Sequence, residues 1–149
     1  MAGNMSVLDL RKLKEVVIPE GTERIGNQWF YQCYIESVEV PASVTELGIE
    51  AFYDCRKLKR ITFQTGSALE KIGQNCFEKS GIEQIAIPTS VTTIREHAFQ
   101  YCDELKSVVL QEDSRLETIG TYCFDNSGLE TIAIPKGVTS ISECAFRRC

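Results

Sequence analysis

The stretch that decides the fold is IEQIAIPTSVTTIREHAFQYC, residues 82–102. Ile85 and Ile87 alternate with small or polar residues, which is typical of a short strand with one buried face. Pro88 follows directly, and proline has no N–H to give to a ladder of hydrogen bonds. The opening third of this stretch therefore predicts a strand that ends at Pro88.

The rest of the same stretch predicts a return path, the segment that leads from the end of one strand back to the start of the next. A second apolar pair, Val91 and Ile94, comes after the proline. Ala98-Phe99 and then Cys102 follow, and the spacing of three between Phe99 and Cys102 favours a helical or 3₁₀ turn.

The pattern occurs six times. Its phenylalanines are spaced alternately by 22 and 25 residues, at Phe30, Phe52, Phe77, Phe99, Phe124 and Phe146. Residues 35–81 and 82–128 match at 21 of 47 positions without a gap, which favours a 47-residue double unit.

Such a repeat predicts an α/β solenoid. One unit cannot bury its apolar residues alone, but stacked units bury them together under a parallel sheet. We expect a concave sheet of about six short strands, about 25–30 Å long, with irregular, 3₁₀ or short helical turns on the convex side. The long units carry extra residues in FQTGSALEKI (63–72) and LQEDSRLETI (110–119), which predict two bulges on one edge.

The six copies resemble the BspA-like class of the leucine-rich repeat superfamily, with its signature L-x-x-I-x-[IL]-P-x-x-[VL]-x-x-I-x-x-x-A-F-x-x-C. The resemblance covers about residues 13–149. The sequence departs from the signature at Trp29, Cys76 and Cys123, in place of alanine, and at Ser80 and Ser127, in place of cysteine. The resemblance implies a right-handed solenoid, found mostly in surface or secreted proteins of microbes and implicated in adhesion to host proteins or other cells.

The repeat divides the chain into two segments. Residues 1–12 are predicted to form a partial N-terminal cap, and residues 13–149 the solenoid of six units. The chain stops at Cys149, on a core position and without a polar closing unit, whereas terminal repeats usually need caps. We expect an uncapped end that is continued or stacks on another copy, with the unit of Phe146 frayed or in an intermolecular contact.

Composition excludes some partners and leaves the compartment open. The net charge of -5 and the pI near 5.0 argue against nucleic acid, which requires a clustered basic face. No apolar run approaches the roughly 20 residues of a membrane span. The opening MAGNMSVLDLRKLKEVV lacks the apolar core of a signal peptide. The chain is therefore expected to be cytoplasmic, or a piece of a longer protein at the cell surface or secreted, as the resemblance implies.

The stretch EHAFQYCDE, residues 96–104, combines the single histidine with a cysteine and an acid, which are the residue types of a nucleophilic site. Cys102, however, is one member of a column that recurs once per unit, whereas a catalytic thiol needs one special environment. We therefore interpret that column as buried core, with His97 facing solvent and Asp103 in a solvated loop. Cys144 is expected to be the exposed thiol. Disulfides between neighbouring units are geometrically conceivable but disfavoured, and no metal-ligand cluster or cofactor motif is found.

The candidate binding surface is the concave face. One column alternates in charge through all six units, and its neighbours in a parallel sheet lie close enough to interact. A second column is small or apolar from Thr62 to Ala133. The predicted protein-binding residues are Lys14, Glu36, Lys59, Arg60, Thr62, Glu83, Gln84, Ala86, Lys106, Val109, Glu130 and Ala133.

Three functions remain open. The first is a non-enzymatic module that binds a protein, with adhesion or surface recognition as the context that the resemblance implies and a host or extracellular matrix protein as the partner. The second is a structural spacer within a longer array, in which the charges only fix register and solubility. The third is a thiol enzyme or redox sensor, which needs an exposed cysteine of lowered pKa.

Overall fold

The computed structural model of the protein describes residues 12–149. It contains two short strands in each repeat unit and, in the part of the chain described, no helix. The strands are β1 (Glu15–Val17), β2 (Arg24–Ile25), β3 (Ser37–Val40), β4 (Glu46–Leu47), β5 (Arg60–Phe63), β6 (Lys71–Ile72), β7 (Gln84–Ala86), β8 (Thr93–Ile94), β9 (Ser107–Val109), β10 (Thr118–Ile119), β11 (Thr131–Ile132) and β12 (Ser140–Ile141). The predicted N-terminal cap lies outside the described residues, apart from Lys12.

The strands form two parallel sheets. The first has the order β1-β3-β5-β7-β9-β11, which confirms the parallel sheet of six short strands. The second contains the even-numbered strands in sequence order, and the sequence did not predict it. Its strands are two residues long, and the pair Val91 and Ile94 carries too little alternation to distinguish a strand from a turn.

A turn segment closes each unit, and the six segments form what we call the turn face (residues 26–33, 48–55, 73–80, 95–102, 120–127 and 142–149). Of the turns predicted for this side, the short helical ones are wrong, and the segments are irregular. The N–H groups of Gln28, Phe30 and Gln32 donate to carbonyls of the next unit, at 2.8–2.9 Å, instead of closing a helix. The N–H groups between them bond three residues back along the chain.

Backbone angles explain why no helix forms. Gln28 and Gln32 have φ of 59° and 54°, in the left-handed region, and the equivalent pair recurs in all six units. A left-handed residue every four positions ends each turn before a helix can propagate. Stacking on the next unit therefore determines the conformation, which a spacing of three between apolar residues cannot reveal.

The core runs between the two sheets and the turn face. Phenylalanine rings stack along it from Phe30 to Phe146, with centroids 5.1–5.3 Å apart and nearly parallel planes. Inward residues of the first sheet, such as Val38, Ile61 and Ile85, are buried beside them. The continuous core that stacked repeats predict is therefore confirmed in the described chain.

The cysteine column is buried as predicted, except at its last member. Cys33, Cys55 and Cys102 are buried, whereas Cys149 is exposed. The thiol of Cys55 donates to the carbonyl of Phe30 at 2.8 Å, and that of Cys102 to the carbonyl of Phe77 at 3.0 Å. These cysteines therefore tie each turn segment to the preceding unit.

Candidate protein-binding face

The outward side of the first sheet and the residues that adjoin its strands form what we call the strand face, which contains all twelve residues predicted to bind protein. Each of them is exposed. Within the strands their direction follows from the pleat, because Ile61 and Ile85 point into the core and Thr62 and Ala86 point away from it. The charged column lies one residue before each strand, outside the pleat. Whether this face binds a partner remains a prediction.

The charged column on this face forms ion pairs two units at a time. The ammonium nitrogens of Lys14, Lys59 and Lys106 lie 3.7, 3.2 and 3.8 Å from carboxylate oxygens of Glu36, Glu83 and Glu130. Within residues 12–149, no ion pair joins Glu36 to Lys59 or Glu83 to Lys106. Exposed pairs of this kind contribute about 0–1 kcal/mol each, so these side chains remain available to a partner.

The extra residues of the long units shape one edge of the strand face. They lie between β5 and β6 and between β9 and β10, which confirms two bulges between strand and return path. Gly66, with φ of 77°, forms the tip of the first bulge. Gln64 fixes the same bulge, since its amide accepts from the Ala42 N–H at 3.0 Å and donates to Glu20 at 2.8 Å.

A groove of about 410 Å³ lies between the two bulges. The pairing of β5 with β7 is limited to Arg60 opposite Gln84, whereas β3 and β5 pair through four residues. The two strands therefore diverge toward this groove. Its lining comes from the strand ends and both bulges: Ile61, Thr62, Phe63, Gln64, Gly66, Ser67, Ala86, Ile87, Pro88, Thr89, Gln111 and Asp113.

The turn face differs, because several of its polar side chains are bonded to one another. Asp125 is buried and accepts from the Arg147 guanidinium at 2.8 and 3.2 Å and from the Gln100 amide at 2.7 Å. Arg147 and Gln100 hold the pKa of Asp125 down at about 2. His97 hydrogen-bonds Gln100 at 2.8 Å and stacks on Tyr122. The prediction that His97 faces solvent is therefore wrong, since the ring is half-buried.

The structure does not assemble a nucleophilic site in residues 96–104. Burial raises the pKa of the Cys102 thiol to about 12, which is the opposite of activation. His97 pairs with Gln100 instead, and Asp103 is exposed as predicted. Burial also raises the pKa of Cys55 to about 12, and those of Cys76 and Cys123 well above the usual range.

One cysteine prediction needs correction. Cys144 was expected to be the exposed thiol but is half-buried, whereas Cys149 is exposed. Cys144 sits in the first left-handed column of the turn face, with φ of 56°, next to Arg147 and Tyr122. Sequence columns distinguish polar from apolar positions, but they do not reveal how far a turn face buries its polar members.

The described residues offer neither a metal centre nor a membrane-spanning helix. Residues 12–149 contain no group of three or more histidine, cysteine or acidic side chains arranged to hold a metal ion. They also contain no helix with the length and apolarity needed to cross a membrane.

Comparison with known proteins agrees with this architecture. The model of the BspA type leucine-rich repeat region matches residues 23–149 in six copies. No curated protein matches the chain. Among solved structures, the pneumococcal vaccine antigen PcpA superposes with a TM-score of 0.85 at 27% identity, covering 93% of this chain and 38% of that one.

Two further structures are similar. A leucine-rich cell surface protein from Faecalibacterium prausnitzii has a TM-score of 0.57 at 28% identity, over 92% of this chain and 45% of that one. A leucine-rich repeat protein from Bacteroides ovatus, at 24% identity and a TM-score of 0.63, shares the fold over 88% of this chain and 45% of its own. The chain thus spans less than half the length of each of these structures. The six matched copies cover most of its sequence, and the chain belongs to the BspA-type leucine-rich repeat family.

Proposed function

We propose that the chain is a non-enzymatic protein-binding module that recognises its partner through the strand face. The observation that carries this proposal is the difference between the polar side chains of the strand face and those of the turn face. Those of the strand face are exposed and loosely paired, at 3.2–3.8 Å between charged atoms. A face whose charges are not committed to the fold can exchange them for contacts with a partner.

The context we propose is adhesion or recognition at a cell surface, with an extracellular protein of a host or its matrix as the partner. Leucine-rich repeat proteins commonly bind proteins. The F. prausnitzii neighbour is named as a cell surface protein, and PcpA as a pneumococcal vaccine antigen, both of which fit a surface location.

The test uses a matched pair of triple variants. Binders are selected against the native chain from purified matrix proteins and displayed peptides, and their affinity is then measured by biolayer interferometry. In the test variant, Glu83→Lys, Lys106→Glu and Glu130→Lys reverse the charges of the strand face. In the control, Glu70→Lys, Arg95→Glu and Glu117→Lys make the same net change at exposed positions outside it.

The proposal expects the strand-face variant to lose about tenfold or more in affinity, through altered charge complementarity, and the control to bind like the native chain. Circular dichroism confirms that both variants are folded. Retained affinity in a folded strand-face variant, or an equal loss in the control, would overturn the proposal.

A second candidate is a spacer without a site of its own. The three ion pairs favour it, because each bridges neighbouring strands and can serve register alone. The same experiment separates the two: a spacer yields no binder that responds to the strand-face reversal. The thiol enzyme finds no comparable support, since burial raises the pKa of Cys102 to about 12.

A further inference from the structure

The strand face repeats every second unit rather than every unit. Its lysine–glutamate pairs recur at an interval of 47 residues, from Lys59–Glu83 to Lys106–Glu130. The two bulges that border the face, with turns at 65–66 and 112–113, recur at the same interval. The ion pairs and the bulges thus repeat with the same period of two units along the solenoid.

That period has a definite length. Parallel strands lie about 4.8 Å apart, so two units advance about 9.6 Å. The glutamates that end each pair, Glu36, Glu83 and Glu130, are therefore spaced by about 9.6 Å along the face. A partner that meets each of them with one side chain must repeat at nearly the same distance.

Among regular backbones, the polyproline II helix fits this distance. It advances about 9.3 Å per turn of three residues, and every third side chain points the same way. An extended strand brings side chains to one face every 6.6–6.8 Å or so, and an α-helix turns every 5.4 Å or so. Neither of these spacings matches the spacing of the three glutamates.

The sign of the matching charge follows from the balance of charge on the strand face and its edge. On the face, exposed carboxylates outnumber exposed cations: Glu15, Glu36, Glu39, Glu83 and Glu130 against Lys14, Lys59, Arg60 and Lys106. Glu112 and Asp113, on the second bulge, are exposed carboxylates at the edge of the strand face. The chain as a whole carries a net charge of -5. Three residues after the charged column, on the same face, Ala86, Val109 and Ala133 are exposed side chains without charge, against which proline rings can pack.

We propose that the strand face binds an extended polyproline II segment that carries a basic side chain at every third residue. The basic groups meet Glu36, Glu83 and Glu130, and the rings between them lie over Ala86 and Val109. The inference rests on the proposed function, because it names the class of partner for the same face.

The experiment measures the binding of three labelled synthetic peptides by fluorescence anisotropy at low and at physiological salt. The first is a Pro-Pro-Lys repeat. The second has the same composition and length, with its lysines at irregular spacing, and the third is a Pro-Pro-Glu repeat. Each is titrated with the native chain, with the variant Glu83→Gln/Glu130→Gln, and with the control Glu70→Gln/Glu117→Gln. The control removes two exposed carboxylates at the same 47-residue interval, outside the strand face.

We expect the Pro-Pro-Lys repeat to bind the native chain about tenfold more tightly than the irregular peptide, because the latter meets fewer carboxylates at once. The Glu83→Gln/Glu130→Gln variant should remove this preference, and the control should keep it. Equal affinity of the two lysine peptides, or a preference that survives in Glu83→Gln/Glu130→Gln, would overturn the inference.

Failure of this inference is distinct from failure of the proposed function. One outcome is that binders selected as above lose affinity on strand-face charge reversal while the lysine peptides show no preference for spacing. In that case the face binds protein, but not through a match between ligand spacing and glutamate spacing. If neither the selected binders nor the peptides respond to strand-face substitutions, both proposals fall together.

Discussion

The strand face and the turn face are built from the same six repeats, yet in the described chain only the turn face buries a bonded network of polar side chains. On the turn face, Asp125 is buried and held by Arg147 and Gln100 at 2.7–3.2 Å. On the strand face, Lys59 and Glu83 stay about half exposed at 3.2 Å. Buried polar groups must be satisfied within the fold, whereas exposed ones need not be. Polar side chains of the turn face thus contribute to stability, whereas charged side chains of the strand face stay exposed.

The largest expected effect comes from the ring stack beneath the turn face. Phe77 is fully buried between Phe52 and Phe99, with both centroids 5.2 Å away. Phe77→Ala should lower the free energy of unfolding by about 3–5 kcal/mol, through lost contacts and a cavity. Urea unfolding measures the change.

The matched control is Phe146→Ala. Phe146 is half-buried and stacks on Phe124 alone in the described chain, so its loss should cost clearly less. Equal costs at the two positions would mean that the stack is not the continuous core described above.

The second-largest loss of stability is expected where two units approach each other closely. A Cβ at Gly128 would lie 2.2 Å from the carbonyl oxygen of Asp103, in the preceding unit. Gly128→Ala should therefore force the units apart and destabilise the fold by about 1–3 kcal/mol. At Gly137 the nearest atom is 3.5 Å away, so Gly137→Ala is the tolerated control. Thermal unfolding of both variants tests the difference, and a tolerated Gly128→Ala would contradict the packing of units at this corner.

The buried carboxylate gives the turn face a pH dependence. Its folded pKa, about 2, lies below the unfolded value of about 3.9. A lowered pKa contributes stability above the unfolded pKa, and this contribution is lost as the pH falls from about 4 toward 2. Asp125→Asn should lower the melting temperature by about 2–4 °C near neutral pH and by less as the pH approaches 2.

The control for this pH dependence is Asp103→Asn, at an exposed position of the loop that follows Cys102. Its melting temperature should stay close to that of the native chain throughout the pH range. A destabilisation by Asp125→Asn that does not shrink in acid would show that the ion pair with Arg147 is not the source of the stability.

The smallest stability effect belongs to the strand face. Glu83→Gln/Glu130→Gln breaks two exposed ion pairs and should change the free energy of unfolding by less than about 1 kcal/mol. A loss comparable to that of Gly128→Ala would show that the charged column serves the fold, and this would favour the spacer function.

Much of this architecture could be predicted from the sequence, because the repeat gives many readings of one pattern. The alternation around Ile85 predicted the first sheet, and the spacing of the phenylalanines predicted the stacked core. The turn face could not be predicted in the same way. Its conformation depends on hydrogen bonds from residues such as Phe30 to the next unit, and no local pattern records those bonds.

The candidate site, too, could be predicted only in part. Exposure of Thr62 and Ala86 followed from the strand period alone. The partition of the charges into separate pairs did not follow, because alternation of sign is equally consistent with a continuous ladder. Nor did the network of His97, Gln100 and Asp125, because sequence columns do not record which polar side chains bond to one another.

The most direct test of the contrast between the faces is a map of where a bound ligand touches the protein. Backbone amide chemical shifts would be recorded with and without the best binder selected as described above. The account predicts shift changes concentrated at Thr62, Ala86 and Val109, with amides of the turn face, such as those of Gln100 and Arg147, unchanged. Changes centred on Gln100 and Arg147, with the strand face silent, would contradict it.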